Sequence, residues 1–174
     1  MLPFLLVLGC AHRSLCPPKY AVHYTDEKRD FILCLPAGVK ESDATAGQVV
    51  FTGFAVPAGT NLEQKTLIIA PGKYDMLQGA KAAGGITANG IYLKRALLDD
   101  GSAGHSTLHV IYTWTNEKKS VHFDFTYRSV NVGNFDPANR PKEYDRAAQI
   151  KWSEDIMSTF TYRNAPASAR SASR

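Results

Sequence analysis

The stretch STLHVIYTWTNEKKSVHFDFTYRSV, residues 106–130, decides the fold of this chain. Apolar and polar residues alternate along both of its halves, which is the period-2 pattern of strands with one buried side. A turn within residues 116–119 keeps the two apolar rows on the same side of the sheet. The rows are Leu108, Val110, Tyr112 and Trp114 on the first half, and Val121, Phe123, Phe125 and Tyr127 on the second. The sequence therefore predicts a long antiparallel hairpin.

A two-residue turn at Glu117 and Lys118 would fix the register of this hairpin. Aromatic and β-branched residues that face each other across two strands add about 0.2–1 kcal/mol per pair relative to alanines. The pairs predicted by this register are Trp114 with Val121, Tyr112 with Phe123, and Val110 with Phe125. The apolar face of this hairpin must be buried under another element of the chain.

The cover is predicted in residues 144–157, where apolar side chains recur at three- and four-residue spacing, as in an amphipathic helix. Trp152 and Ile156 end this stripe and are expected to pack on the apolar face of the hairpin. A shorter helix is predicted over residues 74–83, with Gly84 and Gly85 as its stop.

The remaining pattern is one of short strands joined mainly by turns. Residues 40–47 are predicted as a polar loop and residues 99–101 as the turn that closes a strand. The other predicted strands lie at residues 20–24, 30–35, 48–56, 67–70, 91–98 and 159–162. This order predicts an α+β domain, in which an antiparallel sheet of about seven strands carries a long C-terminal helix and a short helix.

Length and charge restrict the class of protein. With 174 residues the chain is expected to form one α+β domain, over residues 20–163, followed by a small, polar, disordered tail at 164–174. The net charge of +4 is modest and is not concentrated in a basic stripe. We therefore expect no nucleic-acid partner.

The first ten residues, MLPFLLVLGC, resemble the end of a bacterial lipoprotein signal segment. A short apolar run precedes Cys10, which would be the lipid-attachment residue, and residues 11–19 would then be a linker. No lysine or arginine precedes the run, which a start codon assigned too late would explain. The alternative is an apolar N-terminal strand with an incidental cysteine. The run is too short for a spanning helix, which needs about 20 residues.

Cys16 and Cys34 remain as candidates for a disulfide, which an oxidising envelope would allow. The predicted register argues against the bridge. If residues 21–24 pair with residues 31–34, Cys34 lies opposite Ala21, about 16 Å of extended chain from Cys16. A disulfide needs Cα atoms within about 7 Å. The chain would have to fold back at Pro17 and Pro18.

Three segments carry a resemblance to a known group: YTD…DFILCLP (residues 24–36), NG…DGSAGH (89–105) and NVGNFDP…IMSTF (131–160). Together they resemble uncharacterised bacterial secreted proteins and lipoproteins with a PsbP-like layout. The resemblance implies an α/β/α sandwich around an antiparallel sheet, and a location in the cell envelope facing the periplasm or the exterior. It implies no catalytic residue and no cofactor.

Candidate ligands lie on the polar face of the hairpin. His109, His122 and Asp124 share this face, and the register places His122 opposite Thr113 and His109 opposite Thr126. A zinc or copper site needs three or four converging ligands. The alternative is an ordinary solvated sheet face, which the same alternation explains and which we favour.

Hydrolytic active sites and a calcium site have weaker support in the sequence. The chain has no Gly-x-Ser-x-Gly motif, and Cys34 lies among apolar residues, where thiols are usually inert. Asn131, Asn134 and Asp136 are better explained by Asx turns than by calcium binding. The expected function is therefore a non-enzymatic envelope lipoprotein, a binding or accessory module with an unknown protein or small-ligand partner. The alternatives are a metal- or ligand-binding envelope protein that uses the hairpin's polar face, and an envelope hydrolase.

Overall fold

The computed structural model describes residues 16–43, 47–72, 79–102, 104–117 and 119–163. Cys10 and the 164–174 tail lie outside these residues. Within them the chain forms ten strands, one α-helix and two short 3-10 segments, Val132–Asn134 and Pro137–Asn139. The strands are β1 (Val22–Asp26), β2 (Phe31–Leu35), β3 (Lys40–Asp43), β4 (Val49–Thr52), β5 (Leu62–Pro71), β6 (Lys81–Ala88), β7 (Ile91–Ser102), β8 (His105–Thr115), β9 (Ser120–Val130) and β10 (Thr161–Tyr162), and the helix is α1 (Arg146–Met157).

The strands form two antiparallel sheets, where the sequence predicted one. The large sheet has the order β3-β4-β5-β9-β8-β7-β6, and the small sheet has the order β1-β2-β10. All five residues of β2 are buried, because β1 and β10 flank this strand while Phe31 packs on Phe123 of the large sheet at a ring distance of 5.2 Å. A strand that is apolar on both faces suits the middle of a covering layer. The small sheet and α1 together cover one face of the large sheet, which we call the inner face.

The predicted hairpin is confirmed as β8 and β9. Its turn closes where Asn116 N donates to the carbonyl oxygen of Lys119 at 2.9 Å, and Lys119 N donates to Asn116 Oδ1 at 2.7 Å. The register is the predicted one, with the pairs Trp114–Val121, Tyr112–Phe123 and Val110–Phe125. Both apolar rows lie on the inner face, and each of their eight side chains is at most 5% exposed.

Helix α1 begins two residues later than predicted, because the carboxylate of Asp145 caps it by accepting from Ala148 N at 3.0 Å. The predicted cover is present. Trp152 meets Phe125 and Tyr127 edge to face at ring distances of 6.1 and 6.3 Å, and Ile156 is fully buried. Among the described residues, no helix has both the length and the apolar character needed to cross a membrane.

Three local predictions are wrong because long-range pairing decides these segments. Lys40–Asp43, predicted as loop, pairs with β4. Residues 99–101, predicted as a turn, continue β7 along β8. Residues 81–83, predicted as the end of the short helix, belong to β6, with a bulge between Ala82 and Gly85. Gly85 passes under Tyr92, and a Cβ there would lie 2.6 Å from the tyrosine hydroxyl. Residues 74–78 of that predicted helix lie outside the described residues.

The argument against a Cys16–Cys34 disulfide is also wrong. The bridge is present, with a Cα–Cα distance of 5.6 Å, and both cysteines are buried. Cys34 lies opposite His23 and not opposite Ala21. The chain folds back before β1, where Tyr20 N donates to the carbonyl oxygen of Pro17 at 2.9 Å. This turn reverses the direction of the chain and so brings Cys16 close to Cys34, which an extended segment could not do.

Phe160 joins the two sheets. Its fully buried ring packs on Phe31 of the small sheet and on Trp114 and Phe123 of the large one, at ring distances of 5.6, 5.9 and 5.5 Å. Asn89 Nδ2 donates to its carbonyl oxygen at 2.8 Å. The final strand, predicted over residues 159–162, is shorter and pairs with β2.

Candidate functional site

The face of the large sheet opposite to the inner face, which we call the outer face, carries the predicted candidate ligands. His109 of β8 and Asp124 of the neighbouring strand β9 form a close pair. His109 Nδ1 lies 2.9 Å from Asp124 Oδ2 and 3.2 Å from Oδ1. Asp124 is only 5% exposed, so this pair is largely shielded from water.

The third candidate, His122, has a different partner. It lies opposite Thr113, and His109 opposite Thr126, as predicted. Its Nδ1 is 3.3 Å from the carbonyl oxygen of Gly72, which follows β5. Across the described residues, no cluster of three or more histidine, cysteine, aspartate or glutamate side chains is arranged to hold a metal ion. The structure thus brings two of the three candidates together.

The pKa values of the two histidines are shifted in opposite directions from the ordinary value of 6.5. The hydrogen bond to Asp124 raises the pKa of His109, although burial opposes this. Burial lowers the pKa of His122, and the bond to the Gly72 carbonyl only partly compensates. Because folding raises the pKa of His109, this residue stabilises the folded protein fully below pH 6.5. The stabilisation is lost as the pH rises through the pKa of His109 in the folded protein. Because folding lowers the pKa of His122, this residue destabilises the folded protein as the pH falls through 6.5 toward the pKa of His122 in the folded protein.

We therefore expect NMR titration to place the pKa of His109 above 6.5 and that of His122 below it. Replacing Asp124 by asparagine removes the charge that holds the proton, so the pKa of His109 should fall in this variant. The pKa of His122 should change much less and serves as the internal control. If His109 titrates below His122 in the native protein, the proposed pairing is incorrect.

Histidine His105, predicted in a loop, is the first residue of β8. Its Nε2 is 3.4 Å from Glu63 Oε2, and Arg128 approaches the same carboxylate at 4.0 Å. These three side chains are well exposed, and such pairs contribute little to stability.

A polar layer between α1 and the inner face was missed by the sequence reasoning. The hydroxyls of Tyr112 and Ser153 are 3.2 Å apart, and Tyr127 donates to the carbonyl oxygen of Gln149 at 2.8 Å. Lys65 lies with Nζ 4.5 Å from the centre of the Trp152 ring, and burial lowers the pKa of this lysine. The available signal was a serine within the apolar stripe of the helix and tyrosines in the apolar rows. These contacts fix how the helix sits on the sheet.

Between β1 and the β3–β4 hairpin lies a cleft of about 840 Å³, which we call the first cleft. Its floor includes Tyr24 and Phe51, whose rings meet edge to face at 4.9 Å. At one end the buried carboxylate of Asp26 accepts from Arg29 N at 2.8 Å and is paired with the Arg29 guanidinium. Burial raises the pKa of Tyr24, and the nearby Asp26 adds to the shift. The half-buried ring of Tyr24 is the aromatic surface of this cleft, since Phe51 is only 1% exposed, and Glu27, Lys28 and Glu41 add charged groups to the lining.

The Asx turns predicted after β9 are present at Asn131 and Asp136, whereas Asn134 donates from Nδ2 to the carbonyl oxygen of Gly104 at 3.3 Å. Asn131 Oδ1 accepts from Gly133 N at 2.9 Å, and Asp136 Oδ1 accepts from Ala138 N at 2.8 Å. Each bond caps one of the short 3-10 segments. These oxygen atoms therefore have local structural roles.

The architecture is that of an α+β domain of antiparallel sheets with a C-terminal helix. No family model matches the chain, and no curated protein matches it. A solved structure from Bacteroides thetaiotaomicron VPI-5482 is similar over 82% of this chain and 48% of its own, with a TM-score of 0.49 and 10% identity. This chain thus spans about half the length of that protein.

A second solved structure is that of cyanobacterial PsbP (CyanoP) from Synechocystis sp. PCC 6803. It is similar over 84% of this chain and 96% of its own, with a TM-score of 0.46 and 16% identity. Both TM-scores are below 0.5, so we draw no functional conclusion from either similarity.

Proposed function

We propose that this chain is a non-enzymatic module of the bacterial cell envelope, tethered to a membrane through a lipid on Cys10, where it binds or assists another envelope component. The observation that carries the proposal is the buried Cys16–Cys34 disulfide. Disulfides persist in exported proteins and are rare in the reducing cytosol. The apolar run that ends at Cys10 supports the same location, because a short apolar run directly before a cysteine resembles the end of a lipoprotein signal segment.

We assign the domain to a PsbP-like layout within this proposal. Three sequence segments, at residues 24–36, 89–105 and 131–160, support the assignment. The antiparallel large sheet and the helix near the C-terminus support it, although the described residues hold one α-helix and a second sheet instead of the two helical layers of an α/β/α sandwich.

A binding role suits the first cleft better than a catalytic one. Its buried carboxylate, Asp26, is held by Arg29 through both the backbone and the side chain. A group held in this way makes a poor proton donor or acceptor, whereas the half-buried ring of Tyr24 offers contact area to a partner.

The tether is tested by producing the chain in a bacterial host that is fed a radiolabelled fatty acid. We expect the label on the wild-type chain and in the membrane fraction, and we expect both to be lost in Cys10→Ser. Cys16→Ser is the matched control, because it also removes a cysteine but should keep the label. An acyl label that persists in Cys10→Ser would refute the tether.

The compartment is tested separately in the same cells by quenching them with acid and alkylating the thiols under denaturing conditions, so that burial of the two cysteines does not protect them. We expect Cys16 and Cys34 to resist alkylation until a reductant is added. Free thiols at both positions in intact cells would contradict the envelope location.

A further inference from the structure

A second cleft, of about 560 Å³, lies at the end of the inner face next to the start of α1. Its floor is formed by Gly101, Ser106 and Ser129, which are paired side by side on β7, β8 and β9. The start of α1 provides one wall, with Tyr144 and Arg146. The cleft exists because the apolar rows of the hairpin end at Leu108 and Tyr127, and the next row has only small side chains.

The wall of the second cleft is held rigidly by Asn61. This residue donates from Nδ2 to the carbonyl oxygen of Val130 at 2.8 Å and accepts on Oδ1 from Tyr144 N at 2.8 Å. Its backbone N–H donates to the carbonyl oxygen of Lys142 at 2.8 Å, and its carbonyl accepts from Val130 N at 3.0 Å. Four hydrogen bonds therefore hold Asn61 in place, and one of them, to the backbone N–H of Tyr144, ties the start of the helical wall to it. A preformed wall of this kind lowers the entropy lost when a ligand binds.

The basic side chains around the second cleft, Arg146 and His105, are each paired with a carboxylate of the protein. Arg146 forms a two-pronged pair with Asp99, in which Nη2 lies 3.0 Å from Oδ2, and this hydrogen bonding lowers the pKa of Asp99. At the opposite side His105 pairs with Glu63. The only other charged lining residue among those described is Glu143. The cleft thus offers hydroxyl groups, backbone groups and an aromatic ring, without a surplus of cations for an anion.

A smaller hollow of about 320 Å³ continues the second cleft around the end of β7 and β8. The two share Gly101, Ser102 and His105. The hollow adds Asp100, Thr107 and Arg128, which lie on the outer face, so polar groups line a path around the edge of the sheet. Such a path has room for more than one unit of a linear ligand.

We propose that the second cleft binds a neutral, hydroxyl-rich ligand, namely a sugar or short oligosaccharide. Tyr144 provides the aromatic contact, and Ser106 and Arg146 provide hydrogen bonds to hydroxyl groups. The polar floor disfavours an apolar ligand, and the paired basic side chains disfavour an anion. This site does not depend on the lipid tether, so failure of the acyl-labelling experiment would not contradict the proposed sugar binding.

The test is NMR titration of the full chain with three neutral trisaccharides, namely triacetylchitotriose, cellotriose and maltotriose, and with inorganic phosphate. The upper concentration is about 10 mM, ten times the Kd of a weak 1 mM ligand. We expect saturable amide shifts at the second cleft with at least one trisaccharide and none there with phosphate. Saturation by none of the sugars, shifts confined to the first cleft, or saturation by phosphate alone would overturn the proposal.

Two variants locate the binding. Tyr144→Ala should weaken the affinity at least tenfold, and Ser106→Gln should do the same by placing a longer side chain on the floor. Ser106 is exposed on a strand, so this variant keeps the test valid if Tyr144→Ala fails to fold. Tyr92→Ala is the matched control, since Tyr92 is 56% exposed on another part of β7 and should leave the affinity unchanged. Unchanged affinity in both cleft variants would refute the site.

Discussion

Replacing Cys16 and Cys34 together by alanine should lower the free energy of unfolding by about 3 kcal/mol. The bridge closes a loop between residues 18 positions apart, and its loss lets the unfolded chain explore more conformations. For a chain of 174 residues this corresponds to a drop of about 6–12 °C in melting temperature. Thermal denaturation followed by circular dichroism, without reductant, measures the change.

The control for this experiment is Cys10→Ala, which removes the third cysteine and leaves the bridge intact. In the unfolded Cys10→Ala protein, a thiol-reactive dye should label nothing until a reductant is added. Reductant should also lower the melting temperature of the wild type toward that of the double variant. Equal melting temperatures for wild type and double variant would show that the bridge contributes no stability.

The second large effect is expected for Phe160→Ala, which should cost about 3–5 kcal/mol. The fully buried ring contacts Phe31, Trp114 and Phe123, so its removal leaves a cavity between the two sheets. Urea denaturation measures the loss through the midpoint concentration. The slope of the transition should stay the same if the native fold is retained.

Val56→Ala is the control for Phe160→Ala. Val56 is 39% exposed in the segment between β4 and β5, and its truncation should change the free energy of unfolding by less than about 0.5 kcal/mol. A loss for Phe160→Ala no larger than that of the control would mean that this ring does not join the layers as described.

The hairpin β8–β9 was predictable because all the information that determines it is local. Strict alternation selects the buried face, and the number of residues in the turn sets the parity between the strands. Once the register is set, the neighbours of every side chain follow, including the positions of His109 and His122 on the outer face. Helix α1 was predictable only in part, because Trp152 and Ile156 pack as expected whereas the buried side chains include Gln149 and Ser153, which no apolar pattern marks.

The two-sheet arrangement was not predictable in the same way. β3 has the sequence KESD, which is polar, and it is a strand only because β4 lies beside it. The glycines at 84 and 85 are typical of a helix stop, yet they form the bulge of an edge strand under Tyr92. In both segments, pairing with a distant partner outweighs local preference.

The candidate sites were likewise predictable only as far as local sequence determines them. The sequence places His109 and Asp124 on one face, but only the structure shows that they pair and that His122 contacts Gly72. The second cleft is built from four separate stretches of chain, at Asn61 and around Ser106, Ser129 and Tyr144. No local pattern marks such a site, since its lining residues are ordinary serines, glycines and a tyrosine.

The disulfide also determines how the domain would respond to mechanical force. A pull applied to the chain ahead of Cys16 passes through the sulfur atoms directly to Cys34 in β2, so residues 17–33 carry none of the tension. Strand β1 is therefore not peeled from its neighbour one hydrogen bond at a time. The load falls on β2, which β10 pairs at Phe31 and Ile32 and which the ring of Phe31 anchors on Phe123 of the large sheet. Reduction of the bridge would expose β1 to sequential unzipping at much lower force.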